Sequence, residues 1–181
     1  MSEFLSDVKS LRERARKNMD QGAVTDSYKA DRNQVIKVLN DVLATELVCV
    51  LRYKRHYFMA AGIHSESVKE EFLQHAAEEQ QHADRLAERI VQLKGAPDLN
   101  PEGFARRSHS QYVEGTDLIS MLREDLVAER IAIESYSEII RWLGDSDTTS
   151  RRILEQILEK EEEHADDLVT LLERIESEHK H

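Results

Sequence analysis

The chain has 181 residues, enough for one domain with a real core, and 34% of them are charged. Its 25 basic and 36 acidic residues leave a net charge of −11, which weighs against bulk nucleic-acid binding and suits attraction of cations. One cysteine excludes an internal disulfide framework, thiolate zinc sites and iron–sulfur clusters.

In chain order, residues 1–30 read as an N-terminal extension, partly helical. Leu5, Val8, Leu11, Ala15 and Met19 recur at helical spacing, among Lys9, Arg12, Arg14, Arg16 and Lys17. A short amphipathic helix follows, packed on the rest of the chain or on a neighbouring subunit. Its basic side is read as a solvated face in preference to an arm for DNA or a membrane. The opening MSEFLSDVKSLRERARK lacks the apolar stretch of a signal peptide, and no run reaches the ~18 apolar residues of a membrane span, so a cytoplasmic location is expected.

Residues 31–181 read as one four-helix bundle. All six glycines and both prolines fall between periodic segments, which leaves long helices over 31–61, 67–94, 117–143 and 149–176. Each is about 40 Å long at ~1.5 Å per residue. Ser67 and Glu70 suggest a capping box at the second helix, and Gly62, Gly95 and Gly144 suggest C-terminal stops. The links within the first and second pairs are short, so each pair is an antiparallel hairpin. About 22 residues, holding Pro97 and Pro101, connect the hairpins and are long enough to run the height of the bundle.

The inward seams of these helices carry acids. At seven-residue steps they read Leu39, Glu46, Tyr53; Phe72, Glu79, Leu86, Leu93; Leu122, Glu129, Tyr136, Leu143; and Leu154, Glu161, Leu168, Ile175. An uncompensated buried carboxylate costs several kcal/mol, so four together require cations. His82 and His164 each follow a glutamate by three residues, which sets the two side chains next to each other on a helix. The same offset selects Glu161 over Glu162 and Glu163. Four carboxylates and two imidazoles without sulfur suit iron or manganese, and the four negative charges balance two divalent ions. The expected arrangement puts Glu46 and His82 on one metal, Glu129 and His164 on the other, with Glu79 and Glu161 bridging. The competing reading places these acids on solvated faces by chance. Cys49 reads as a small buried hydrophobe, and His56, His64, His75 and His109 as surface or capping groups without paired spacing.

This pattern resembles the ferritin-like di-iron carboxylate proteins, and bacterioferritins above all. ATELVCVLRY around Glu46 and Tyr53, EEQQHADRLAERI around Glu79 and His82, DLVAER around Glu129 and EKEEEHADDL around Glu161 and His164 are similar to that family's four ligand segments. The resemblance spans residues 31–172. It implies a ferritin-like antiparallel bundle with one long crossover and a ferroxidase centre of two iron ions built by Glu46, Glu79, His82, Glu129, Glu161 and His164, with Tyr53 beside it. Gln80 stands where haem-binding bacterioferritins carry methionine, so no haem is expected. Gln74 and Glu78 stand where an inner-surface iron site would offer a histidine and an acid, which argues against that relay. Seventeen residues follow His164, too few for the fifth helix of 24-subunit cages, so a dodecameric, Dps-like homo-oligomer is favoured over a 24-mer. Rubrerythrins would add a cysteine-rich segment and a glutamate near Ala132, and both are missing.

The leading functional expectation is iron storage and detoxification, with Fe2+ oxidised by H2O2 or O2 inside a cage. Two alternatives stand beside it. One is peroxide or substrate turnover without storage, as in a dimanganese catalase or a di-iron oxygenase. The other is a non-catalytic, DNA-protecting oligomer that uses the basic N-terminal segment.

Overall fold

The computed structural model describes residues 7–62 and 65–178; Leu5, His64, His179 and His181 lie outside them. Every regular element among the described residues is helical. A short helix α1 (Val8–Lys17) precedes the long helices α2 (Arg32–Met59) and α3 (Ser65–Gln92). A four-residue helix α4 (Phe104–Arg107) interrupts the crossover, and the long helices α5 (Leu118–Leu143) and α6 (Thr148–Glu178) complete the chain.

Side-chain caps set the helix starts. Asp31 accepts hydrogen bonds from the backbone N–H groups of Asn33 and Gln34 at the start of α2. Asp117 and Ser120 form a reciprocal capping box on α5. Helix α3 begins at Ser65, so Ser67 and Glu70 lie inside its first two turns and do not mark its cap. At the other end of α3 the left-handed residue is Lys94 (φ 64°), and the Gly95 N–H bonds back to Ile90 O at 2.9 Å. Gly95 is needed for closeness instead: a Cβ there would meet Ile36 Cγ2 at 2.8 Å.

Helix α2 packs along α3 and α5 along α6, and the hairpins meet through α2 against α5 and α3 against α6. The crossover ascends α2 residue by residue. Asn40 is bonded to Asp98 N (2.7 Å), Thr45 to His109 N (2.9 Å), Arg52 to Gln111 O (3.1 Å) and Arg55 to Glu114 (3.0 Å). The two hairpins are therefore connected across the full height of the bundle.

All fifteen residues of the four seams are buried, each at most 3% exposed. The apolar ones divide into two clusters. One contains Leu39, Leu86, Tyr136 and Leu154; the other contains Tyr53, Phe72, Leu122 and Leu168. Along each long helix the seam glutamate falls between the residues of one cluster and those of the other. The acids thus form a polar layer at mid-height, sealed by hydrophobic packing on both sides.

Helix α1 has no buried residue; Val8 is 54% and Leu11 40% exposed. Leu11 and Ala15 line a groove shared with Val24, Thr25 and Ser27 of the segment that follows. Tyr28 then ties this segment to the bundle through a 2.8 Å hydrogen bond to Asp147.

Candidate metal centre

The six side chains named from the sequence meet in the polar layer. Helix α2 supplies Glu46, α3 supplies Glu79 and His82, α5 supplies Glu129, and α6 supplies Glu161 and His164. None is more than 5% exposed. Glu162 and Glu163, the neighbours of Glu161 in a run of acids, are both exposed.

Their donor atoms form two groups: Glu46, Glu79, His82 and Glu161 in one, and Glu79, Glu129, Glu161 and His164 in the other. Within each group one donor atom per residue lies within 4.8 Å of all the others. Glu79 and Glu161 belong to both. His82 Nδ1 lies 3.1 Å from Glu46 Oε2 and 3.1 Å from Glu161 Oε1. His164 Nδ1 lies 3.3 Å from Glu79 Oε1 and 3.6 Å from Glu161 Oε2.

This layer is short of hydrogen. Glu79 Oε1, Glu129 Oε2, both carboxylate oxygens of Glu161 and His164 Nδ1 are buried without a hydrogen-bond partner. Buried polar atoms are nearly always paired, so five orphans facing one another fit residues that divalent ions would bring together. The nearby buried guanidinium groups do not compensate them: Arg52 is engaged with Asp125 and Arg89 with Asp147.

Protonation carries the same message. Burial first, and then the charge of Glu79, lifts the Glu46 carboxyl to about 8. Burial also lifts Glu129 well above the usual carboxylate range, with Glu79 and Glu161 adding to the effect. Burial would lower His82 and His164, but the carboxylates crowded against them, Glu161 foremost, outweigh it and raise both to about 12. Glu79 and Glu161, despite burial, are held below the usual range by close polar neighbours that include the two histidines. Without a cation, protons gather where positive charge is needed.

Two tyrosines brace the layer from either side. Tyr53 donates a short hydrogen bond to Glu129, and Tyr136 a short one to Glu46. Behind His164, Glu78 Oε2 takes the Nε2 hydrogen bond at 2.6 Å, which turns Nδ1 toward the acids. Gln74 bonds the other oxygen of Glu78 at 3.3 Å. Glu78 therefore serves as an orienting partner of a layer histidine.

Two histidines depart from the expectation. His56 and His75 are not surface or capping groups: both are fully buried. His56 Nδ1 bonds Asp125 at 2.7 Å, in a network with Arg52. His75 Nδ1 lies 3.2 Å from the Tyr53 hydroxyl, and the His75 ring stacks on His164 with centroids 4.0 Å apart. Looking for an acid three residues before the histidine misses both, because Tyr53 and Phe72 stand there. A four-residue offset would have found His75, one turn before Glu79 and one turn after Glu71. Cys49 is buried, 3.8 Å from Ser110 Oγ and 3.5 Å from Arg52 Nη2, and burial lifts its thiol well above the ordinary range.

Comparison with known proteins agrees with this architecture. The bacterioferritin of Brucella melitensis is 32% identical over 145 residues, covering 78% of this chain and 84% of that protein. A nutrient stress-induced DNA-binding protein of Synechococcus is 31% identical over 138 residues, covering 74% and 77%. Among solved structures, the bacterioferritin-related protein of Bacteroides fragilis, a dodecameric thioferritin, matches with a TM-score of 0.81 at 30% identity over 95% of this chain and 97% of that one. Dps from Thermosynechococcus elongatus, 20% identical with a TM-score of 0.74 over 77% and 90%, shares the fold. The family model described as the ferritin-like domain matches residues 36–177, and the chain belongs to the ferritin-like family.

Proposed function

We propose that this protein stores and detoxifies iron as a ferroxidase, taking up Fe2+ at the mid-bundle layer and oxidising it with H2O2 or O2 within a cytoplasmic homo-oligomeric cage. The observation that carries this reading is the sharing of Glu79 and Glu161 between two donor groups sealed from water. Glu46 with His82 would hold one iron ion and Glu129 with His164 the other, with Glu79 and Glu161 reaching both. A pair of ferrous ions supplies the two electrons that one molecule of peroxide takes up.

The protein's own part is positioning and charge control. Four carboxylates offset two divalent ions in a layer of low dielectric. Glu78 holds His164 in the tautomer that leaves Nδ1 available, and the two tyrosine hydroxyls fix one oxygen each of Glu129 and Glu46. Similarity to a dodecameric protein over 95% of the chain supports twelve subunits in preference to twenty-four.

The test is direct. Metal-free protein mixed with Fe2+ and oxidant should develop ferric absorbance rapidly, and Glu79→Ala should abolish it. Equal rates in that variant would overturn the reading. A second reading, DNA protection, is favoured by the exposed basic side of α1. It predicts a gel shift that survives Glu79→Ala and is lost on deleting residues 1–20.

A further inference from the structure

Outside the paired centre, three more donors converge across the seam between α3 and α6. Glu71 and His75 are one turn apart on α3, and Asp167 faces them from α6. One donor atom of each lies within 4.8 Å of the other two. His75 Nε2 is 3.2 Å from Glu71 Oε1 and 3.7 Å from Asp167 Oδ2.

The direction of the imidazole lone pair distinguishes this group from an ordinary acidic patch. Tyr53 has one hydroxyl proton and gives it to Glu129. Its oxygen, 3.2 Å from His75 Nδ1, is then left to accept the Nδ1–H. That tautomer puts the ring's free lone pair on Nε2. The observed geometry agrees: Nε2 is fully buried and makes no hydrogen bond, although Glu71 is close enough for one. Three electron-rich atoms therefore face one another with no proton between them, and a positive ion among them would relieve that repulsion.

We propose that Glu71, His75 and Asp167 form a third divalent-cation site, separate from the paired centre. One neutral imidazole and two carboxylates balance a divalent charge, and the nitrogen donor favours a first-row transition ion over calcium or magnesium. The Glu71 and Asp167 side chains are 27% and 44% exposed, so water completes the coordination and ions arrive from solvent. The site shares no ligand with the paired centre but touches it twice, through the ring stack on His164 and the hydroxyl of Tyr53. Its place as a solvent-side stop for ions moving to or from that centre rests on the ferroxidase reading; the binding itself does not.

Equilibrium dialysis of the metal-free, full-length protein against Co2+ tests this, with bound cobalt counted per chain. The wild type should bind one more ion per chain than the double variant Glu71→Gln/Asp167→Asn, whose changes are conservative and lie at the surface. Equal counts and affinities in the two proteins would overturn the proposal. Glu79→Gln, measured in parallel, separates the two sites. A loss in the double variant with none in Glu79→Gln would keep this site and reject the paired centre. The opposite pattern would reject this site alone.

Discussion

Tyr136 donates its hydroxyl to Glu46, a carboxylate that belongs to the other hairpin. Tyr53 makes the matching bond to Glu129, so each hairpin's tyrosine closes on its partner's acid. Burial first, and then the facing glutamate, lifts both phenols well above the ordinary range, so each remains a donor. The two bonds to the layer match, although the Tyr53 hydroxyl also meets His75 Nδ1 at 3.2 Å and the family resemblance named Tyr53 alone. Tyr53→Phe and Tyr136→Phe are each expected to weaken divalent-metal binding by about 10–100-fold, the usual effect of losing an orienting partner. Chelator-competition titrations measure this, and an effect confined to Tyr53→Phe would refute the equivalence.

Glu78 is tested separately because it grips one atom of the layer, His164 Nε2 at 2.6 Å, while Gln74 holds its other oxygen. Glu78→Gln keeps the shape and removes the charge-assisted acceptor that fixes the imidazole. Affinity at the His164 side is expected to fall by about 10-fold or more, while the His82 side keeps its own. A two-step cobalt titration in the Glu71→Gln/Asp167→Asn background, which leaves the paired centre alone, resolves the two. An equal fall in both steps would mean that Glu78 acts on the whole layer.

The buried pair Arg52–Asp125 predicts stability and not chemistry. Their side chains are 1% and 0% exposed, the Nε–Oδ1 distance is 2.7 Å, and Arg52 also holds Gln111 O of the crossover. Asp125→Ala would strand a guanidinium out of water, at a cost of about 3–5 kcal/mol. Replacing both partners with Arg52→Met/Asp125→Leu should cost clearly less, because no unpaired charge remains. Urea unfolding of the two variants makes the comparison.

The seams were legible because helical period and chemistry coincided: one acid set among apolar residues at seven-residue steps, repeated on four helices, has few meanings. The hairpins and the crossover followed from where glycine and proline fall. What stayed hidden was contact between helices. His56 and His75 looked unpaired in one dimension because their partners, Asp125 on α5 and Tyr53 on α2, are far away in the chain. Ser67 and Glu70 carried the right letters for a cap, yet α3 starts at Ser65. Capping depends on where the preceding turn releases the chain, which a four-residue motif does not encode.

The protons of the metal-free layer set its response to pH. His82 and His164 are raised from 6.5 to about 12, and Glu46 from 4.5 to about 8. In each case the folded chain holds a proton that the unfolded chain has released, so stability falls as pH rises. The Glu46 contribution is complete below about 4.5 and is lost as pH climbs through 8. The imidazolium contributions are complete below 6.5 and drain away as pH rises toward 12. The lowered carboxyls, Glu79 and Glu161, work in the opposite sense, but their window lies below 4.5. Each such proton amounts to about 1.4 kcal/mol per pH unit. The melting temperature of metal-free protein should therefore drop between about pH 6.5 and pH 8. Divalent ions displace these same protons, so their binding tightens over that interval and offsets the drop. Calorimetric scans with and without Co2+ across the range give the comparison. A metal-free melting temperature that is flat or rising there would mean that the layer does not hold these protons.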